Sequence, residues 1–237
     1  MIRAIRFILS VSILTVVVGS RLVVLALRRV RHRPGDAYDR VNRQWAEGML
    51  RWNRVRATLE GVERLTPGQP YVFVANHVSH IEIWVLLARL PGSVRFIYKR
   101  ELERVPVFGQ AIVASGHIPI DRQKPNAAFA AYNAAARRIQ GGTSAIVFAE
   151  GTRSSDGKLM PLKKGPFVLA VAAQVPVVPV AVLGAFESMP KGSISPKPVP
   201  ITIRIGEPIP TTGLGYEDRD QLSRQCRAAL LAMGVPE

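Results

Sequence analysis

One cysteine, Cys226, stands in the whole chain of 237 residues, so an internal disulfide and a cysteine-rich zinc site are both excluded. It falls in an apolar C-terminal helical pattern with no histidine nearby and reads as core packing. No cluster of histidines and acids has metal-ligand spacing, so neither a metal nor a bound cofactor is expected. Repeats and low-complexity tracts are absent. Acids are scarce: 17 against 32 basic residues leave a net charge of +15 and a sequence pI near 11.0. That imbalance calls for an anionic partner, either nucleic acid, a membrane surface or a phosphorylated substrate. The chain lacks a zinc finger, an aromatic RNA-binding pattern and a basic recognition helix, which argues against nucleic acid. Lysine is missing from the first 66 residues, where 13 arginines face 5 acids for a net +8. More than half of the excess charge is therefore concentrated at the N-terminal end.

There is one long apolar run. Phe7 to Leu27 spans 21 residues, interrupted by Ser10, Ser12, Thr15, Gly19, Ser20 and Arg21. As a helix it reaches about 30 Å, the thickness of a bilayer core. Arg3 and Arg6 precede it; Arg28, Arg29, Arg31 and Arg33 follow, which by the positive-inside rule places the body of the protein in the cytoplasm. A cleaved signal peptide is the competing reading, and the arginines after the run oppose export. Residues 1–34 thus read as a membrane anchor with a basic flank. Residues 35–66 read as an amphipathic helix in which Trp45, Met49 and Trp52 interleave with arginines. It either lies in the interface or packs on the domain. Residues 67–237 read as one domain with a sizeable core.

Within that domain the informative stretch is Tyr71-Val72-Phe73-Val74-Ala75-Asn76-His77-Val78-Ser79-His80-Ile81-Glu82. A β-rich run stops at Asn76, and a helical pattern follows from Ile83 to Leu90. His77 in the turn and Glu82 in the first helical turn are placed so that the carboxylate can reach the imidazole. A carboxylate on one ring nitrogen fixes the tautomer and leaves the other as a general base. The same residues make a capping box, with Ser79 as N-cap and Glu82 as its reciprocal partner. Both readings stand on the sequence. Ser79 as the nucleophile of a lipid hydrolase is a weaker alternative, since no Gly-x-Ser-x-Gly elbow surrounds it.

Asn76-His77-Val78-Ser79-His80-Ile81-Glu82 resembles the first motif of the lysophosphatidic acid acyltransferases, membrane glycerolipid enzymes that usually carry aspartate at the acidic position. Gly116-His117-Ile118-Pro119-Ile120-Asp121-Arg122 is similar to their second motif. Phe148-Ala149-Glu150-Gly151-Thr152-Arg153 is similar to the third, and the proline-bearing run Val175 to Val180 to the fourth. Glu150-Gly151-Thr152-Arg153 is no Walker loop, because the second glycine and the Gly-Lys-Ser/Thr ending are missing. The likeness covers roughly Val72 to Glu207. It implies a mixed sheet flanked by helices, with His77 as general base and Glu82 as its partner. It also implies that Arg122, Glu150, Gly151, Thr152, Arg153 and Lys163 border the acceptor site. His80 and His117 read as structural.

Strands alternate with helices from Tyr71 onward, which predicts an α/β fold with a largely buried sheet. Two prolines, Pro176 and Pro179, are odd for a central strand. The expected activity is acyl transfer from acyl-CoA or acyl-carrier protein to a lysophospholipid, lysophosphatidic acid first. Glycerol 3-phosphate and a lyso-aminolipid are alternative acceptors, and a non-catalytic phospholipid-binding module is the non-enzymatic alternative.

Overall fold

Short runs of β-branched residues bounded by glycine, proline and polar residues form the strands, and longer alanine- and leucine-rich segments form the helices. The computed structural model describes residues 1–120 and 125–237. In chain order the elements are α1 (Ile2–Leu27), α2 (Ala37–Trp52), β1 (Ala57–Glu60), β2 (Val72–Ala75), α3 (Ile81–Arg89), β3 (Val94–Lys99), α4 (Phe108–Ala114) and β4 (Ile118–Ile120). Then come α5 (Pro125–Gln140), β5 (Ser144–Phe148), α6 (Gly165–Ala173), β6 (Val177–Leu183), α7 (Ala185–Ser188), β7 (Ile201–Ile205) and α8 (Arg219–Ala232).

The strands form one sheet in the order β1-β7-β6-β2-β5-β3-β4. All neighbours pair in parallel except β6 and β7, so the sheet is mixed. Successive side chains of a strand point to opposite faces. Phe73 and Ala75 of β2, with Ile146 and Val180, pack on Met49 and Leu50 of α2 and on Val85 and Leu86 of α3. Val72 and Val74, with Ala145 and Val147, pack on Ile139 of α5, Phe167 and Leu169 of α6 and Leu230 of α8. Both faces are covered, which is why all four residues of β2 are buried.

β6 is third from one edge of the sheet despite Pro179. The antiparallel ladder to β7 stops at Val180↔Ile205, the next bridge is Val177↔Ile209, and Gly206 donates to the Pro179 carbonyl at 2.9 Å. Pro179 thus turns its NH-less nitrogen toward the Gly206–Pro208 gap, where no ladder bond is required. A proline is tolerated in a central strand because its partner strand has bulged away.

The boundary expected at residue 67 lies too late, because β1 is part of the sheet and pairs with β7. Nor is α2 an interfacial helix along its length. Met49 is fully buried, Trp45 is half-buried with its indole N–H on Thr15 Oγ1 at 3.3 Å, and only Trp52 of the three is exposed. α1 packs on α2 and α4 through Val18 and Leu22. Asn53 Nδ2 donates to Ser10 Oγ at 2.9 Å, and a Cβ on Gly19 would lie 3.2 Å from Ala111 Cβ, so α1 and α4 approach closely there. The opposite side of α1, with Ile5, Leu9, Ile13, Val16, Val17 and Val24, faces outward uncovered.

β2 ends where Asn76, itself buried, binds β6 with its side-chain amide. Nδ2 donates to the Val182 carbonyl at 3.1 Å and Oδ1 accepts from the Val182 N–H at 2.7 Å. The amide replaces one backbone ladder pair and frees the main chain to turn at His77. Asn76→Ala leaves a buried donor and acceptor unpaired, an expected loss of about 2–5 kcal/mol in unfolding free energy. Denaturant titration checks it, and a loss below about 1 kcal/mol would show that the clamp is dispensable.

Candidate active site

The carboxyl ends of β2, β5, β3 and β4 share one edge of the sheet because these strands run parallel. Ala75 is in register with Phe148, so the turns that follow β2 and β5 lie side by side. His77 leaves one turn and Glu150-Gly151 the other. This is the edge at which α/β sheets gather ligands.

His77 Nδ1 lies 2.6 Å from Glu82 Oε2, a separation that requires a bridging proton. Glu82 has no exposed surface, and its Oε1 accepts the N–H groups of Val78 and Ser79 at 2.8 and 3.1 Å. The contacts that the two readings of Glu82 call for thus fall one on each oxygen, the imidazole on Oε2 and the turn amides on Oε1. Burial pushes the Glu82 carboxyl well above the usual range, while the two amides and the Arg153 charge pull it down. Ser79 is not the N-cap; α3 begins at Ile81 with His80 in that position. The Ser79 hydroxyl instead donates to the Met189 carbonyl at 2.6 Å and accepts from Ile81 N–H at 3.2 Å. Fully buried and engaged on both sides, it is unavailable as a nucleophile.

The His77 ring stacks on Phe148 at 3.9 Å and 12°, a contact carried by the last residue of β5. The main chain of His77 is held as firmly as its ring. Glu150 Oε1 accepts the His77 N–H at 2.5 Å, Glu150 Oε2 accepts the Met160 N–H at 2.8 Å, and Ser154 N–H donates to the His77 carbonyl at 2.7 Å. Glu150, read as a wall of the acceptor site, is a buried strut between two turns. Burial first of all pushes its carboxyl up to about 7, against the two amide donors.

Gly151 follows with φ 79, a left-handed conformation suited to glycine, and lines the cavity beside His77. Thr152 is exposed and Arg153 half-buried, and Arg153 has no carboxylate partner among the described residues. Lys163 fixes its turn through its N–H on the Ala149 carbonyl at 2.7 Å and leaves its side chain exposed. Arg122 lies outside the described residues.

A cavity of about 260 Å³ opens at His77 and runs between the sheet and α1, α2, α3 and α4. Its wall is mostly apolar, with Leu22, Trp45, Ile83, Leu87 and Phe108 among the lining residues. His80, which the sequence suggested was structural, stands in this lining. Partial burial, then Arg153 and His77, press its imidazole down to about 4 and keep it neutral. His117 stands in the lining as well, with its Nδ1 accepting the Phe96 N–H at 3.0 Å, and burial with Arg95 and Arg138 lowers it to about 3. Asn76 and Phe148 stand inside the first and third motifs, but their tasks were not marked there: the register of β2 with β5 brings Phe148 onto the His77 ring, and Asn76 binds β6. Trp45 carries no motif signature.

The Acyltransferase family model matches residues 56–183. A 1-acyl-sn-glycerol-3-phosphate acyltransferase of Cocos nucifera is 33% identical over 208 residues, 86% of this chain and 65% of that one. That of Limnanthes alba is 32% identical over 206 residues, 85% of this chain and 71% of that one. This chain thus spans about two thirds of the length of these relatives. The fold matches the crystal structure of the lysophosphatidic acid acyltransferase PlsC of Thermotoga maritima, with a TM-score of 0.78 at 24% identity over 100% of this chain and 96% of that one. With its paired histidine and glutamate at the edge where those motifs meet, the chain belongs to the lysophosphatidic acid acyltransferase family.

Proposed function

We propose that this protein moves a fatty acyl group from an acyl-CoA or acyl-carrier-protein thioester to the free hydroxyl of lysophosphatidic acid at a membrane surface. The observation that carries the reading is the His77–Glu82 pair at the mouth of an apolar cavity, with Arg153, which has no carboxylate partner among the described residues, close enough to act on Glu82 and His80. Glu82 holds Nδ1, so Nε2 takes the hydroxyl proton. The alkoxide oxygen attacks the thioester carbonyl carbon and forms the ester bond as the carbon–sulfur bond breaks. The departing thiolate recovers the proton from Nε2, so no net proton is consumed. The imidazolium formed in between is stabilised by Glu82, whose charge acts with little screening because solvent is excluded. The acyl chain occupies the cavity, and Arg153 meets the acceptor phosphate with Thr152, Gly151, Lys163 and Arg122 around it.

The membrane contact is the uncovered side of α1. A bilayer-spanning α1 would carry polar α2 with it, since the two helices pack along their length. The helix is better suited to lie in one leaflet with its apolar stripe buried and the arginines of residues 28–33 at the headgroups. The arginines that flank α1 suit the anionic cytoplasmic leaflet, which supports a cytoplasmic position for the catalytic face.

Three outcomes test this reading. In Glu82→Gln, the amide can keep an oxygen on the Val78 and Ser79 N–H groups but then turns its NH₂ toward Nδ1. That moves the ring proton to Nε2 and removes the base. Turnover is expected to fall about as far as in His77→Ala, 10²–10⁴-fold, with the melting temperature little changed. Glu82→Asp is expected to be milder. Near-normal turnover in Glu82→Gln would reduce the glutamate to a helix cap.

Arg153→Ala is expected to raise the acceptor KM by about 10- to 100-fold through loss of one charge-assisted phosphate contact, with the donor KM unchanged. An unchanged acceptor constant, or equal loss on a phosphate-free lysolipid, would take Arg153 out of that role.

Replacing Ile13, Val17 and Val24 by serine keeps the buried side of α1 intact. Each change is expected to cost about 1–2 kcal/mol of vesicle affinity in a flotation assay, while turnover on detergent-dispersed substrate persists. Unaltered flotation would place the membrane contact elsewhere.

A further inference from the structure

Between α1 and α2 lies a second concavity, an open groove of about 360 Å³ that shares no lining residue with the cavity at His77. Its walls are Val24 and Leu25 on α1 and Ala37 and Val41 on α2. Into it project two exposed guanidiniums, Arg21 and Arg40. Neither makes an ion pair among the described residues: Arg21 Nη1 donates to Gln44 Oε1 at 2.9 Å and Arg40 Nη1 to the Gly35 carbonyl at 3.0 Å. A guanidinium has five N–H donors, so both keep donors for a ligand.

The nearest acids are already engaged. Asp36 takes the N–H groups of Arg33 and Asp39, while Asp39 takes Gly35 N–H, the Ser93 hydroxyl and Arg95. Several other arginines show the contrast: Arg64, Arg89, Arg204 and Arg227 each meet a glutamate, and Arg95 meets Asp39. Arg21 is also the only charged residue between Phe7 and Leu27, and it shares the outward side of α1 with Val17 and Val24. A charge on a stripe that enters lipid is costly unless an anion meets it at the headgroup level. Two guanidiniums above an apolar floor match a phosphodiester with an attached hydrocarbon chain. A choline headgroup would add a third cation and is disfavoured.

We infer that the α1–α2 groove is a discrete site for one anionic phospholipid of the bilayer, its phosphate held by Arg21 and Arg40 and a chain lying along Val17 and Val24. The site rests on the membrane contact of α1 proposed above and is independent of catalysis. It differs from diffuse attraction to the arginine-rich flank in having fixed stoichiometry and position.

The test is native mass spectrometry of the full-length protein in uncharged detergent, titrated with phosphatidylglycerol and, separately, phosphatidylcholine. Wild type is expected to show one saturable phosphatidylglycerol adduct and none with phosphatidylcholine. Arg21→Gln with Arg40→Gln should weaken it by at least about tenfold, while Arg28→Gln with Arg29→Gln, which removes the same charge outside the groove, should change it less than about twofold. Equal weakening in the two double variants, or an adduct that survives Arg21→Gln with Arg40→Gln, overturns the site. Displacement by equimolar inorganic phosphate overturns the lipid assignment. Flotation on phosphatidylcholine vesicles reads the insertion of α1 by itself, so failure of the membrane contact is seen there and failure of the groove in the adducts.

Discussion

A carboxylate without solvent is sustained only where donors converge on it, and Glu82 is such a group. Its two oxygens receive two main-chain N–H groups and one imidazole, and all three come from the five residues before it. The requirement shapes the local chain. The turn from Asn76 to His80 has to wrap around the carboxylate, and α3 has to start where its first turn delivers Glu82 inward. Asn76 makes this feasible by closing the ladder to β6 with its side chain, so that the main chain leaves the sheet without orphaning Val182. The stacking of His77 on Phe148 then fixes the remaining freedom of the ring.

The parallel run of β2, β5, β3 and β4 extends that local arrangement to the whole site. Parallel neighbours put successive strand ends on one edge, so segments more than 70 residues apart in the chain meet without long excursions. The single antiparallel interface, β6 with β7, sits on the other side of β2, and there the strand irregularities at Pro179 and Gly206 are absorbed away from His77.

Much of this was legible in the sequence, and the failures have physical causes. The β-branched runs located β2 and predicted the alternation of strands with helices after it, because burial on both faces of a sheet leaves that signature. The spacing of His77 and Glu82 in a strand–turn–helix allowed a pair or a capping box, and the family resemblance implied the pair. The capping residue was misplaced by one position because the Ser79 hydroxyl is taken by Met189, a partner 110 residues away that no local pattern encodes. The interfacial reading of Trp45 and Met49 failed because α2 covers the sheet, and amphipathicity alone cannot say whether a helix faces lipid or a protein core. His80 carried no signal separating it from a bystander, since its place in the cavity follows from the fold. Glu150 was legible as important, yet its task is mechanical: its carboxylate joins two turns that are distant in sequence.

That joining limits how such an enzyme can diversify. Glu150 and Ser154 hold the His77 main chain at its N–H and its carbonyl, and Met160 N–H holds Glu150 in turn, so the turn after β5 and the imidazole form a single mechanical unit. Remodelling the backbone of residues 150–160 to admit a new headgroup would displace the imidazole along with it. Selection for new acceptors is thereby channelled into side chains that hang from the unit without supporting it. Thr152 and Lys163 are of this kind, being exposed and without side-chain bonds among the described residues. Under the proposed function, headgroup choice can then drift across descendants of this chain while the geometry of the His77–Glu82 pair is inherited intact.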